Sequence, residues 1–282
     1  PSLVGSEMCI RDSCQTLLID EAPAVRLQGP AGDSVTVLLR GGQVISWVDA
    51  EGSERLYCSP ASPLKGPQAV RGGVPVIFPQ FAARGPLMRH GWARMRDWTL
   101  LPVDGSSSEP SVALQLRNAV GDDPLWPHAC VCTLTVSLLP QGLRMVLAVE
   151  NTGSTAFSFQ AALHSYFAVG EVTHASVIGV LPGEAILPLR EPIDQVFEAV
   201  AAPVVLQSPT GRLQLDRVGF DDVVVWNPGP DTVLADLPAD GYRAFVCVEP
   251  AAVAKPVALD AHARWEGVMR ISYNRAHTSS ET

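Results

Sequence analysis

The chain has 282 residues, of which 47% are hydrophobic and 17% are charged, and its formal net charge is −9. This length allows one large domain or two ordinary ones with a substantial core, and the sparse, negative charge disfavours nucleic acid as the main partner. The sequence has no apolar run of membrane-spanning length and no paired spacing among its six cysteines, so we expect a cytoplasmic protein without a membrane partner.

Residues 1–13 fit no element of a predicted fold and resemble a translated sequencing-adaptor string. We therefore expect this segment to be non-native and the true N-terminus to be missing. No stretch rich in Pro, Gly or Ser is long enough to link two domains. Residues 14–282 are accordingly expected to form a single domain.

From Cys14 onward, short runs rich in Val, Leu and Ile alternate with turns that contain Gly, Pro, Asp or Asn. Such runs predict β-strands, and no window of helical length carries a sustained apolar stripe. The predicted strands cover 35–40, 43–48, 112–117, 132–138, 143–150, 157–167, 213–216, 223–226, 244–248 and 268–273. A helical turn is allowed at 201–206 or in the C-terminal tail. The pattern predicts an all-β fold, a large antiparallel β-sandwich.

The segment 71–81 begins with Arg71, Gly72 and Gly73 and continues into an apolar, aromatic run. Glycines let the backbone approach a ligand closely or adopt positive φ, and arginine offers a planar fork for phosphate or hydroxyl oxygens. A glycine turn before a buried strand, with Arg71 as a surface charge, accounts for the same residues. Both interpretations are open at this point.

The next segment packs Arg89, His90, Trp92 and Arg94 into six residues. A sugar phosphate is bound by aromatic faces, by polar groups on its hydroxyls and by arginine on its phosphate, and this segment supplies all three. The alternative is a basic loop in which Trp92 belongs to the core and His90 is solvated.

An alternation of His128, Cys130 and Cys132 would place three potential metal ligands on one face of a strand. No comparable cluster of His, Cys or Asp elsewhere in the sequence completes a tetrahedral site. We therefore favour buried cysteines in a core strand and expect no metal here.

His164 and Glu249 are ionisable residues within apolar, strand-like runs. An isolated histidine in such a run is most often a core residue, but a buried carboxylate without a role is costly. Two such groups in separate strands indicate a shared pocket, where they could act as acid and base on a small substrate. Asp194 and Asp222 are weaker candidates, because Asp commonly caps backbone N–H groups in turns.

Taken together and in order, these segments resemble the hexose-6-phosphate mutarotases of the aldose 1-epimerase family over about residues 24–274. The matching motifs are Arg-Gly-Gly-Val-Pro, Phe-Pro-Gln-Phe, His-Gly-Trp-Ala-Arg, Ala-Leu-His-Ser-Tyr-Phe, Asp-Val-Val-Val-Trp-Asn-Pro and Val-Cys-Val-Glu-Pro-Ala. The resemblance implies a galactose mutarotase-like β-supersandwich without metal or cofactor. It also implies an isomerase that interconverts the α and β anomers of an aldohexose 6-phosphate, with glucose 6-phosphate as the favoured substrate. A monomer is expected for a sandwich of this size.

Carried over to this chain, the resemblance places the general acid at His164 and the general base at Glu249. It places substrate contacts at Arg71, His90, Arg94 and Asp194. The chain departs from the family pattern at Arg89, where an amide or small residue is frequent, so the phosphate contact is open among the three arginines. Two other functions are also open: a non-catalytic carbohydrate-binding module, and an aldose 1-epimerase that acts on unphosphorylated sugars.

Overall fold

The computed structural model describes residues 14–102 and 109–273, so the segment 1–13 lies outside the described residues. Within that range the chain is built of short and long β-strands with four 3-10 helices, at Ala93–Met95, Val172–His174, Pro182–Glu184 and Gly241–Ala244. The strands are β1 (Cys14–Ile19), β2 (Ala22–Gln28), β3 (Ser34–Leu38), β4 (Gln43–Val48), β5 (Val76–Ile77), β6 (Thr99–Leu100), β7 (Ser111–Asn118), β8 (Cys130–Leu139), β9 (Gly142–Asn151), β10 (Phe157–Leu163), β11 (Tyr166–Ala168), β12 (Ser176–Ile178), β13 (Ile186–Pro188), β14 (Ile193–Phe197), β15 (Val204–Ser208), β16 (Gly211–Val218), β17 (Asp222–Asn227), β18 (Phe245–Leu259) and β19 (Arg264–Tyr273). The prediction of an all-β fold is confirmed. No helix of the described residues is long and apolar enough to cross a membrane.

In the described part of the chain the strands form three antiparallel sheets. The first has four strands in the order β1-β2-β3-β4, and the second has nine in the order β13-β12-β15-β16-β19-β9-β8-β7-β6. The third has six strands, in the order β14-β17-β18-β10-β5 with β11 also paired to β18. The main cluster of buried side chains takes residues from all three sheets, for example Val35, Leu134 and Val248. The core therefore lies between the sheets, as the sandwich prediction requires.

The structure contains strands that the sequence prediction lacks, at 14–19, 22–28, 76–77, 99–100, 176–178, 186–188, 193–197 and 204–208. The hairpin of β1 and β2 was not predicted, because its turn residues Asp20 and Glu21 both have positive φ, 47° and 63°, without the Gly or Asn that usually marks such a turn. The helical turn allowed at 201–206 is wrong, since Val204 begins β15 there. That strand pairs with β12 on one side and β16 on the other, and this pairing favours the extended backbone. The alternative position in the C-terminal tail, beyond Tyr273, lies outside the described residues.

The predicted strand over 157–167 is broken in the structure. β10 ends at Leu163 and β11 begins at Tyr166. Between them, the His164 N–H donates to Pro75 O at 3.0 Å and the Ser165 N–H donates to Leu163 O at 2.9 Å. The backbone therefore leaves the β10 ladder at His164, and this break determines where the His164 side chain lies.

β18 continues well beyond its predicted end at 248. Its first half pairs with β11 and β17, and its second half pairs with β10. Side chains of a strand alternate between the two faces of the sheet, and Val246 and Val248 belong to the main core. Cys247 and Glu249 therefore lie on the opposite face, together with Trp226 of β17. The candidate site is built on this second face of the six-stranded sheet.

Candidate active site

His164 and Glu249 are brought into contact by the fold, although 85 positions separate them in the chain. Nε2 of His164 lies 3.4 Å from Oε1 of Glu249. Glu249 is fully buried and His164 is 8% exposed. Among the described residues, neither carboxylate oxygen of Glu249 nor Nδ1 of His164 has a hydrogen-bond partner. A buried carboxylate without hydrogen bonds destabilises the folded protein. A role in a chemical reaction therefore explains this pair better than a structural role does.

Burial sets the charge state of this pair. It raises the pKa of Glu249 well above its usual value, and the negative charge of Asp194 adds to the effect. It lowers the pKa of His164 well below its usual value, and His90, Arg94 and Arg71 lower it further. Both shifts favour the uncharged forms of the two groups in the ligand-free protein.

Aromatic rings surround His164 on this face of the sheet. The ring of Tyr166 stacks on it with centroids 4.9 Å apart, while Trp226 and His90 meet it edge-on at 6.0 Å and 5.5 Å. Tyr166 and Trp226 lie in strands β11 and β17, which both pair with β18 next to Glu249. Aromatic faces beside an acid–base pair can pack against the C–H groups of a sugar ring.

Arg71 lies at the edge of this aromatic cluster. Its Nε donates to Oδ1 of Asp236 at 2.6 Å, and its Nη1 donates to the Tyr166 hydroxyl at 3.4 Å. The neighbouring Gly73 has a φ of 60°, and a Cβ there would lie 2.0 Å from the carbonyl oxygen of Val44. Glycine is therefore required for the turn that carries Arg71. The interpretation of Arg71 as a surface charge is wrong, because it is partly buried and ion-paired.

The segment 89–94 contributes two more arginines and a neutral histidine. Nη2 of Arg94 donates to the carbonyl oxygen of Arg89 at 2.8 Å, and its buried Nε has no hydrogen-bond partner among the described residues. Burial lowers the pKa of Arg94. Burial also lowers the pKa of His90 to about 3, helped by Arg94, Arg89 and Arg71. His90 is therefore neutral, and its Nδ1 accepts from the Ala82 N–H at 3.3 Å.

Trp92 does not take part in the site. It belongs to the main core, where it meets Phe78 edge-on at 5.3 Å and Trp126 at 5.7 Å. The expectation that this segment supplies the aromatic face for a sugar is thus wrong. The aromatic side chains next to His164 come instead from β11 and β17.

Of the remaining candidates, two lie at the solvent-exposed rim of the site and one holds the backbone in place. Arg89 and Asp194 are exposed, and each lies close enough to change the pKa of a buried site residue. Asp222 has the capping role considered for it, since its carboxylate accepts from the N–H groups of Val253, Ala254 and Ala199 at 2.9, 2.8 and 3.2 Å. The fold thus gathers the predicted residues His164, Glu249, Arg71, His90 and Arg94 and leaves Arg89 and Asp194 at the rim.

The sequence alternation at His128, Cys130 and Cys132 does not form a metal site in the described part of the chain. The His128 ring packs against Trp126 and Phe157, with centroids 5.0 and 5.3 Å away. Cys130 and Cys132 are buried in β8 within the main core. The strand begins at Cys130, so His128 does not share its alternation.

Sequence reasoning missed four side chains of the site: Tyr166, Trp226, Cys247 and Asp236. Trp226 is placed there by its pairing with Cys247 across β17 and β18. Tyr166 and Cys247 lie two positions from His164 and Glu249, and a period of two along each strand could have indicated them. Asp236 could not have been found in this way. It sits in an irregular loop, 165 positions from its partner Arg71, and only the folded chain brings them together.

Sequence comparison relates this chain to known proteins. The family model described as aldose 1-epimerase matches residues 23–210. A protein of Cenchrus ciliaris with the provisional name glucose-6-phosphate 1-epimerase is 34% identical over 276 residues, which cover 88% of this chain and 84% of that protein. A protein of Escherichia coli K12 with the same provisional name is 31% identical over 238 residues, covering 76% and 78%. The chain belongs to the aldose 1-epimerase family, and the resemblance seen in the sequence is confirmed.

Solved structures extend the likeness to the fold. A provisionally named mutarotase from Salmonella typhimurium superposes with a TM-score of 0.82 at 24% identity, over 94% of this chain and 96% of that one. The galactose 1-epimerase from Lactobacillus acidophilus NCFM gives a TM-score of 0.70 at 14% identity, over 94% and 99%. The galactose mutarotase-like β-sandwich is therefore the fold of this chain.

Proposed function

We propose that this protein interconverts the α and β anomers of an aldohexose 6-phosphate, with glucose 6-phosphate as its main substrate. The observation that carries the proposal is the 3.4 Å contact between Nε2 of His164 and Oε1 of Glu249, buried within a site that contains arginines. Two relatives that carry the provisional name glucose-6-phosphate 1-epimerase support the choice of substrate.

The reaction needs an acid and a base within reach of two oxygens on one carbon. Glu249, as a carboxylate, takes the proton of the anomeric hydroxyl while His164, as imidazolium, protonates the ring oxygen. The C1–C2 bond of the open-chain aldehyde then rotates. Ring closure on the other face returns the proton from Glu249 to the anomeric oxygen and the proton of the O5 hydroxyl to His164. No covalent intermediate and no cofactor enter these steps.

Both charge states of the pair are used in one turnover. The cyclic sugar meets the carboxylate and the imidazolium, and the open-chain aldehyde meets a protonated Glu249 and a neutral His164. Burial favours this second, uncharged state in the ligand-free protein. The site thus matches the proton distribution of the open-chain intermediate, which is the high-energy species of the reaction.

Among the three arginines, we assign the main phosphate contact to Arg94. The charge of Arg71 is already paired with Asp236 at 2.6 Å, and the exposed Arg89 lies at the rim. Arg94 has no ion pair among the described residues, and its buried Nε lacks an acceptor. A phosphate oxygen would supply one, in a charge-assisted hydrogen bond. Asp194 and His90 are then left for the sugar hydroxyls.

Saturation-transfer NMR of the anomeric protons tests the proposal directly, because it reports exchange at equilibrium without a coupling enzyme. We expect rapid exchange for glucose 6-phosphate and much slower exchange for free glucose. In Glu249→Gln and His164→Asn the rate should fall by roughly two to four orders of magnitude, while the sugar phosphate still binds. A near-native rate in a folded Glu249→Gln protein would remove the central assignment.

The same experiment separates the alternatives. A carbohydrate-binding module would bind the sugar without accelerating exchange. An enzyme for unphosphorylated sugars would turn over free glucose or galactose at least as fast as the 6-phosphate. In the second case the assignment of Arg94 to a phosphate would also fail.

A further inference from the structure

Cys247 is a third chemically reactive group beside the acid–base pair, and the proposed reaction does not use it. It is fully buried and lies two positions before Glu249 on the same face of β18. Its Sγ, one ring nitrogen of His164 and one carboxylate oxygen of Glu249 all lie within 4.8 Å of one another. No second group of three His, Cys, Asp or Glu donors comes together in the range that the structure describes.

We propose that His164, Cys247 and Glu249 form a binding site for a zinc-class divalent cation that blocks the enzyme. Thiolate, imidazole and carboxylate are the ligands that Zn²⁺ takes in proteins, and three of them with one open position is a common arrangement. Zn²⁺ binds nitrogen and oxygen at about 2.0–2.2 Å and sulfur at about 2.3 Å, so its ligand atoms lie roughly 3.3–3.8 Å apart. The Nε2 and Oε1 atoms already have this spacing, at 3.4 Å.

The remaining donors need only a small movement to complete the site. Distances of up to 4.8 Å must shorten by about 1 Å. The carboxylate of Glu249 and Nδ1 of His164 have no hydrogen-bond partners among the described residues, so rotating these side chains breaks no such bond. A cation would also give the buried carboxylate the compensation that the protein itself does not provide.

Nearby positive charges limit the affinity of the site for a cation, and the types of ligand determine which cations bind. The guanidinium groups of Arg71 and Arg94 act on the charge of His164, so they also oppose a cation there. We therefore expect reversible binding that a chelator removes, in contrast to a structural zinc site. Mg²⁺ and Ca²⁺ prefer sets of oxygen ligands, and a site with one thiolate and one imidazole should not retain them.

Titration of the full-length chain with Cd²⁺ tests the site without reference to any sugar. Binding to a thiolate produces a sulfur-to-cadmium charge-transfer absorption in the ultraviolet, and we expect it to saturate at one ion per chain. Cys247→Ser should abolish this absorption. Cys58→Ser is the matched control, since Cys58 is partly exposed and more accessible, and this variant should retain the absorption. A signal that survives Cys247→Ser and disappears in Cys58→Ser would overturn the proposal.

A second variant covers the case in which replacement of Cys247 prevents folding. Glu249→Gln keeps the thiol and removes one ligand, so the Cd²⁺ concentration for half-saturation should rise at least about tenfold. An unchanged Cd²⁺ affinity in folded Glu249→Gln would also overturn the site. The absorption measurement does not depend on catalysis. It can therefore refute Cd²⁺ binding while the anomerisation activity is confirmed, or show Cd²⁺ binding when the activity is absent. If both hold, Zn²⁺ should inhibit anomerisation, and EDTA should restore it.

Discussion

Replacing Glu249 by Gln should make the protein more stable while it removes the activity. The wild-type carboxylate is fully buried and accepts no hydrogen bond from the described residues. Gln keeps the shape of the side chain but cannot ionise. The variant therefore separates the cost of burying this group from its role in proton transfer.

The size of the effect follows from proton linkage. A carboxyl group in the unfolded chain has a pKa of about 4.3, and burial raises the pKa of Glu249 in the folded protein. Its contribution to stability is fully present below the unfolded pKa and is lost as the pH rises toward the folded pKa, by up to about 1.4 kcal/mol per pH unit. The amide of Gln must also be desolvated, which reduces the gain. We expect the variant to be more stable by about 1–2 kcal/mol at pH 7, with a smaller difference at pH 5.

Urea unfolding between about pH 5 and pH 8, in buffer that contains a chelator, measures this difference. Asp222→Asn is the matched control, because Asp222 is also buried on this sheet but accepts three backbone N–H groups. It should lose about 2–4 kcal/mol, since an amide cannot accept at both positions. The reasoning is refuted if Glu249→Gln is less stable than wild type at pH 7, or if the difference does not change with pH.

Three further predictions concern the charged residues around the pair. In Arg94→Met, kcat/KM for glucose 6-phosphate should fall at least about tenfold, with little change for free glucose. Equal losses on both sugars would mean that Arg94 supports the structure of the site and does not bind the phosphate. Asp236→Asn leaves the charge of Arg71 without its ion pair, so steady-state kinetics should show KM for the phosphorylated sugar falling about threefold while kcat and the KM for free glucose change little. Burial lowers the pKa of His90 to about 3, so its contribution to stability is present above the unfolded value of about 6.5 and is lost as the pH falls toward 3. Urea unfolding between about pH 4 and pH 6 should therefore show a smaller loss of stability with falling pH for His90→Asn than for the wild type, and equal losses would refute this assignment.

Most of the fold could be predicted from the sequence because its strands carry apolar runs and its hairpins carry Gly, Pro or Asn. Strand β4, at Gln43–Val48, has the bounds that its pattern predicts, and β7, β8 and β9 extend theirs by only one or two residues at each end. The prediction failed where the backbone is held by tertiary contacts. The Asp20–Glu21 turn lacks a glycine, and the 201–206 stretch is extended because its neighbours pair with it.

The candidate site could be predicted in part, and for a physical reason. His164 and Glu249 are visible because an ionisable group in an apolar run is unusual, and the spacing of the motifs identifies the family. The sequence could not show which charged side chains form ion pairs or which aromatic side chains belong to the core. The ion pair of Arg71 with Asp236, and the placing of Trp92 in the core, depend on contacts between distant segments.

The distance between the acid and the base is set by the backbone rather than by the side chains themselves. The N–H of Val248, next to Glu249, donates to the carbonyl oxygen of Ser165, next to His164, at 3.2 Å. The N–H of His164 donates to Pro75 O at 3.0 Å, which ties the same break to the segment that begins at Arg71. Three segments of the chain thus meet where the sheet is interrupted, and main-chain hydrogen bonds fix their relative positions. For this reason a change of side chain at 164 or 249 should alter proton transfer while the geometry of the site persists, as a preorganised acid–base pair requires.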